Sequence, residues 1–422
     1  MTKQNLILLS LNELNFDYVN KYLKFKKLDN LKKLSDNLKI TTSENEYKNL
    51  EPWIQWPSIY TGKKAQEHKI FRLGDIVNYR EQTIFNEFED LGLNVGAISS
   101  MNLNNNLKHP KYFIPDPWTH TKSDKNFWSK LIHSTISKFV IRNSALKFNI
   151  VDLFNLLIIF FKFANFKNYL IYLKFFFTGF KYKWRLALFL DLLLNDIHLK
   201  YFKTYKPNFS NVFFNGIAHI QHHFFFNSKV IDNNIKNPKW YLKENMDPIA
   251  EGLEIYDRIL EDYLNNNNFK LVIATGLTQV PYDILKFYYK IHNHSQFFKK
   301  LNIEYEKIQE LMSRDFIIYF NNEQIAKDNE IILANLKLKN KNIFKIDNRG
   351  SSLFVTLVYP DEIKKNDFIE TKKIDLFKYV SFVAVKNGMH NQKGYYYDNF
   401  SKNINNNFKI EEIKNIIIGL FK

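Results

Sequence analysis

Short apolar runs, each stopped abruptly by polar residues, constrain the fold of this chain more than any other feature. Leu6 to Leu11 (LILLSL) is followed at once by Asn12 and Glu13. A brief run of this kind suits a strand buried on both faces. Leu28, Leu31, Leu34 and Leu38 then recur at helical spacing. LNVGAISS (93–100), NVFFNGI (211–217) and KLVIAT (270–275) read as further strands. The last follows a helix, EGLEIYDRILEDYL, whose Leu253, Tyr256, Ile259, Leu260 and Tyr263 share one face. SSLFVTLVY and YVSFVAVKNG supply two more strands near the C-terminus. Strands alternating with helices predict an α/β fold, a mixed sheet flanked by helices. Sites in such sheets gather at the carboxyl ends of strands, and Asn12, the stretch Gly216 to His223, Gly276 and His390 all fall there.

Two stretches break the alternation. Residues 124–207 are strongly apolar, punctuated by Lys and poor in acids; they read as helices inserted between two strands of the sheet. Such helices could form a cap whose apolar face packs on the core, with Lys and Arg stems covering apolar neighbours, or a basic amphipathic surface in peripheral contact with anionic lipid. Residues 283–347 are Lys-rich and read as a second helical insertion. The expected organisation is therefore an N-terminal part of the core (1–123), a helical, basic, apolar cap (124–207), more core (208–282), the second insertion (283–347) and a C-terminal part of the core (348–422).

The chain has no Cys, which excludes disulfides, thiolate metal sites and cysteine nucleophiles. Its net charge of +17 favours anionic partners, but the basic residues are dispersed and form no nucleic-acid module, so no specific nucleic-acid partner is expected. The apolar core of the N-terminus is too short for a signal peptide and is followed by no small-residue cleavage site. No run approaches the roughly 20 apolar residues of a spanning helix. A cytoplasmic location is the default expectation, with membrane association left open through 124–207. The searches for a P-loop, a G-x-S-x-G elbow, an H-E-x-x-H zinc motif and a G-x-G-x-x-G turn are all negative.

Several segments, in order, resemble the alkaline phosphatase superfamily, and in particular its type I phosphodiesterase/nucleotide pyrophosphatase branch. LILLSLNEL resembles the first strand with its metal-binding end. QWPSIYTGKKAQEHKI keeps Pro57, Ser58, Thr61, Gly62 and His68 of the segment after the nucleophile. VFFNGIAHIQHHF resembles the strand ending in Asp-x-x-x-His, LVIATGLTQ stands where an Asp-His pair is expected, and VKNGMHNQKGYYY resembles the final His segment. The resemblance implies an alkaline-phosphatase-like mixed sheet with helical insertions and phosphate-linked substrates. It also implies that most metal ligands and the nucleophile are replaced. Asn12 stands for the first Asp, Gln55 for the nucleophile, Ala218 with His222 for the Asp-His pair, and Gly276 with Leu277 for the next; His390 is retained.

A two-metal site needs several carboxylates and imidazoles around two cations, so this set implies that the usual hydrolysis is lost. The polar groups that remain are Glu13, Gln55, His222 and His390 as candidate catalytic residues, with Asn12, Glu51, His219, Gln221, His223 and Gln279 as candidate substrate contacts. Neutral imidazole suits base work near pH 7. The leading expectation is metal-independent group transfer on an anionic phosphorylated or nucleotide-linked carbohydrate, glycosyl transfer being one such reaction. A phosphodiesterase using Ser58 or Thr61 with one Zn or Mn, and an inactive scaffold, are the alternatives.

Overall fold

A computed structural model describes residues 5–44, 46–142, 149–232, 234–311, 314–401 and 406–421. The chain forms two compact units. One comprises Met1–Asp232, Lys243–Pro281 and Gly388–Lys422, the other Asn233–Leu242 and Tyr282–Asn387.

The first unit is built on an eight-stranded mixed sheet. Its strands are Leu6–Leu11 (β1), Lys39–Thr42 (β2), Val95–Ile98 (β3), Tyr112–Ile114 (β4), Phe209–Phe214 (β5), Lys270–Ala274 (β6), Lys393–Asp398 (β7) and Asn407–Lys409 (β8), in the spatial order β8-β2-β7-β6-β1-β5-β3-β4. From β6 to β4 the neighbours are parallel, with Leu6 opposite Phe209 on one side and Lys270 on the other; β7 runs antiparallel to both β6 and β2. Every residue of β1 and β5 is buried. That burial explains why the runs are continuously apolar rather than alternating, since helices cover both faces. Each fully buried Leu, Ile or Phe contributes about 1.5–3 kcal/mol.

The covering helices are Phe16–Tyr22 (α1), Asp29–Ser35 (α2), Pro52–Thr61 (α3), Ala65–His68 (α4), Ile84–Asp90 (α5), Phe127–Arg142 (α6), Ile150–Phe163 (α7), Tyr169–Gly179 (α8), Trp184–Tyr205 (α9), Gly216–Phe224 (α10), Pro248–Leu264 (α11) and Glu412–Gly419 (α12). Among the described residues of 124–207, α6 to α9 are helices. Among the described residues no helix is long and apolar enough to cross a membrane.

Two helices set the site. Helix α3 opens with Pro52, whose fixed φ and missing N–H suit a first turn. It closes at Gly62 (φ +68°), whose N–H returns to the Ser58 carbonyl. Helix α10 starts directly after β5, and its first amides are taken by a buried acid from α9: Asp191 accepts from Gly216 N at 2.7 Å, from Asn215 N at 3.3 Å and from the Tyr256 hydroxyl at 2.7 Å. A carboxylate there satisfies orphan N–H groups and faces the positive end of the helix. Burial nevertheless pushes Asp191 up to about 6.

The second unit corrects the expected boundaries. Residues 283–347 are not a helical insertion, and the strand SSLFVTLVY does not belong to the main sheet. A four-stranded antiparallel sheet, in the order Phe344–Asn348, Ser352–Leu357, Asp315–Tyr319, Lys307–Glu310, packs with helices His294–Leu301 and Glu323–Ala334 around Phe297, Phe316, Ile318, Leu353 and Val355. Burial in Asp315–Tyr319 and Ser352–Leu357 alternates residue by residue. Their charged and polar positions mark the outer face of a half-buried strand; in Asp315–Tyr319 that pattern gives the stretch the look of a charged helical insertion, whereas Ser352–Leu357 is the strand the sequence predicts. The long paired strands Thr278–Ile291 and Val380–Asn391 carry the chain between the units.

Candidate functional site

The carboxyl ends of β1, β5 and β6 hold the polar residues that the sequence singles out. At the end of β1 the ladder continues through Asn12 N to Phe214 O (3.1 Å), then switches sides as Glu13 N reaches Thr275 O (3.0 Å). This switch places Glu13 at φ +60°, a left-handed conformation that costs a non-glycine residue about 1 kcal/mol or more. The strand's alternation is broken, and two consecutive side chains point into the same site: Asn12 Nδ2 donates to Glu13 Oε1 at 2.8 Å.

Glu13, His222 and His390 converge. Glu13 Oε2 lies 3.2 Å from His222 Nε2 and 3.3 Å from His390 Nε2, and the two imidazole nitrogens are 3.3 Å apart. Glu13 is buried, whereas the side chains of His222 and His390 are 30% and 12% exposed, so the cluster opens through His222. Burial alone would raise the Glu13 pKa, but the adjacent His390 and His222 more than reverse it and hold the carboxyl far below the usual range. On its far side His390 turns Nδ1 toward Glu51 Oε2 at 3.5 Å. Glu51 is the N-cap residue of α3, and its side chain does not cap that helix.

A surrounding layer fixes the carboxylate. Gln279 donates its amide to Glu13 Oε2 and, at 3.0 Å, to the Ala218 carbonyl. Gln221 donates to the Glu13 carbonyl at 2.8 Å. Asn12 gives its second proton to Asn215 Oδ1 and accepts from Trp56 Nε1, both at 2.8 Å. His219 and His223 stack edge-on one turn apart on α10 with ring centroids 4.7 Å apart. Burial lowers His219 to about 4, leaving it neutral at pH 7.

Of the ten predicted site residues, Glu13, His222, His390, Asn12, Glu51, Gln221 and Gln279 are linked by direct contacts, with His219 and His223 on the same helix as His222. Gln55 is placed differently. It lies buried inside α3, with Nε2 on the Asn49 carbonyl at 2.7 Å and Oε1 on the Glu44 N–H at 3.4 Å. One turn earlier in the sequence, Glu51 stands at the helix start where the cluster is. The alternative nucleophiles are likewise engaged: Ser58 bonds to the Ile54 carbonyl and His68 Nε2, and Thr61 to the Pro57 carbonyl. Sequence reasoning missed Asp191, Asn215 and Trp56 as supports. The only signal for Asp191 is a lone acid inside the apolar run LALFLDLLL.

The superfamily that the sequence resembles holds two cations, whereas the replacements here imply that most of their ligands are gone, and the donor set can be tested against both. Glu13, His222 and His390 offer one carboxylate oxygen and two imidazole nitrogens all within 4.8 Å of one another. Borderline divalent cations take such a set. Glu51 on His390 Nδ1 and Asn12 on Glu13 Oε1 are the outer hydrogen bonds that orient ligands. One cation fits. Among the described residues no second group of three such donors exists, so the pair of cations does not fit.

No protein-family model matches this chain, and no curated protein sequence does. Three solved structures of similar shape illustrate the likenesses found. The chain is similar to murine ectonucleotide pyrophosphatase/phosphodiesterase 5, with 10% identity and a TM-score of 0.46 over 99% of this chain and 95% of that one. It is similar to phosphonoacetate hydrolase from Sinorhizobium meliloti in complex with phosphonoformate (11% identity, TM-score 0.43, 99% and 95% covered). It is also similar to human ectonucleotide pyrophosphatase/phosphodiesterase 5 (9%, 0.43, 99% and 94%). The strand order and the site geometry above stand independently of these likenesses.

Proposed function

We propose that this chain is an enzyme acting at the phosphate linkage of an anionic small molecule, with a single divalent cation seated by Glu13, His222 and His390. The observation that carries the reading is the convergence of those three donors on one point, backed by Glu51. A carboxylate on His390 Nδ1 keeps a proton there and leaves Nε2 as the lone-pair nitrogen facing inward. A cation at that point would supply Lewis acidity and a means of activating water.

The chain's own residues do the rest. Buried Glu13 brings a fixed negative charge, held by Asn12 and Gln279 so that it needs no rearrangement. His222, the most exposed member of the triad, would give its Nε2 lone pair to the cation and marks the side on which the cluster opens; the proton of the attacking water or hydroxyl would leave to solvent there. Since Gln55, Ser58 and Thr61 are all committed to other partners, attack by water or an acceptor hydroxyl replaces a covalent protein intermediate. The phosphate-linked substrate class rests on the sequence resemblance and on the net charge of +17.

The metal-independent transfer expected from the sequence is a second reading, favoured by one contact. His222 Nε2 and His390 Nε2 already lie at hydrogen-bond distance from each other, so the triad can hold a proton without an ion. The test is turnover of phosphomonoester, phosphodiester and nucleotide-sugar substrates by metal-stripped and Zn- or Mn-loaded protein. Activity restored by the ion and reduced at least about 100-fold in Glu13→Gln supports the proposal. Equal turnover in stripped and loaded protein favours the second reading, and absence of turnover on all three substrate classes removes both.

A further inference from the structure

Helices α7 and α8 carry a surface that the proposed chemistry does not use. On α7, Ile150, Phe154, Leu157 and Phe161 recur at spacings of four, three and four residues and are 41% to 83% exposed. On α8 and its C-cap, Leu170, Leu173, Phe177 and Phe180 recur at spacings of three, four and three and are 51% to 83% exposed. Each set lies along one face of its helix. Phe166, on the short link between them, is 83% exposed.

The opposite faces are the packed ones: Phe163 meets Tyr201, Tyr172 meets Phe189, and Gly179 lies against Leu186, all on α9. Ring contacts of Phe160 with Tyr169 and Tyr172 tie α7 to α8. The pair is thus anchored from behind and presents two apolar stripes outward. Isolated exposed apolar residues are ordinary, but aligned stripes of this size mark a contact surface.

Charge decides what covers it. All four acidic residues between 124 and 207, namely Asp124, Asp152, Asp191 and Asp196, are buried, and Asp152 is paired with Lys138 at 2.9 Å. The outward charges of the region are mainly basic: Lys162, Lys181 and Lys183 are exposed among the stripes, while Lys167 and Lys174 pair with Asp262 and Glu251 of α11. Two copies meeting through this face would set lysine against lysine, whereas an anionic lipid surface supplies the opposite sign and an apolar layer beneath it. Neither helix can span a bilayer.

We propose that the α7–α8 face docks the protein on the surface of an anionic membrane, the two stripes entering the boundary between headgroups and acyl chains. The sequence left a buried cap and a lipid-facing surface open for 124–207, and the exposed stripes favour the second.

The test is co-sedimentation of the full chain with vesicles of mixed phosphatidylglycerol and phosphatidylcholine, beside vesicles of phosphatidylcholine alone. The native chain is expected to bind the anionic vesicles. Phe154→Ser, Phe161→Ser, Leu170→Ser and Phe177→Ser combined are expected to weaken that binding by at least about tenfold with an unchanged melting temperature, since exposed positions alone are altered. Because the chain has no native Cys, a polarity-sensitive dye on Phe161→Cys gives a second readout that does not require the combined variant to fold. Its emission is expected to shift blue on anionic vesicles, while the same dye on Leu91→Cys, exposed elsewhere, stays unchanged. Native protein that ignores anionic vesicles, a serine variant that binds them as well as native, or a dye at 161 that does not move would overturn the proposal. So would a native dimer that the serine variant splits into monomers, which would assign the face to a second copy.

Discussion

The packing behind Glu13 can be tested with one added methyl group. Gly388 has no positive φ, so alanine is tolerated by its backbone; the obstacle is space. A Cβ there would intrude on Gln279 Oε1 and stand 2.9 Å from the Gln221 carbonyl. Gln279 is the side chain whose amide donates to Glu13, so it must give way first. Overpacking a filled site costs about 1–3 kcal/mol, and loss of a hydrogen bond to a charged group about 1.5–3 kcal/mol. Gly388→Ala should therefore lower urea stability by about 3 kcal/mol. In a Gln279→Ala background the clash and the lost bond are already gone, and only the Gln221 contact remains. The double-mutant cycle should show coupling of about 1.5 kcal/mol in the relieving direction. A coupling below about 0.5 kcal/mol would refute the claim that Gln279 fills this space while holding Glu13.

Three further outcomes follow from neighbouring contacts. Asp191→Ala, which strips Gly216 N and the Tyr256 hydroxyl of their buried acceptor, should cost about 3 kcal/mol in urea unfolding. It should also weaken cation binding, because α10 carries His222. Trp56→Phe, which leaves Asn12 Oδ1 without its donor, should cost about 1–2 kcal/mol and loosen the cation several-fold in a zinc titration. His198 is buried between the Tyr263 hydroxyl and Ser210, and burial lowers its pKa to about 3. The unfolded chain therefore binds a proton that the folded one refuses as pH falls below about 6.5. Stability is lost in that direction by up to about 1.4 kcal/mol per pH unit, and the stability gap between native and His198→Asn should narrow between pH 7 and pH 4.

The central strands were legible because burial on both faces leaves an uninterrupted apolar run, as in Leu6–Leu11 and Phe209–Phe214. The outer strands Lys39–Thr42, next to the edge, and Tyr112–Ile114, at the edge, are too short and, in the first, too polar to stand out. An apolar run also does not say which sheet it joins, and Ser352–Leu357 pairs with Asp315–Tyr319 in the second unit. In the site, Glu13, His222 and His390 were accessible from their places after strands and from the family resemblance. What the sequence hid was the left-handed turn at Glu13, since nothing in Asn12-Glu13-Leu14 demands it. Hidden too was the helical phase of α3, which brings Glu51 to the cluster and turns Gln55 inward. A helical reading of 124–207 could be made from composition, but the outward faces of its helices could not, because periodicity gives a stripe without saying whether another element covers it.

Calorimetric titration of the metal-stripped full chain with Zn²⁺ or Mn²⁺ tests the central claim most directly. The account predicts one ion per chain, lost in His222→Ala and in His390→Ala while the fold measured by circular dichroism persists. Two ions per chain, none, or one that both variants still bind would contradict it.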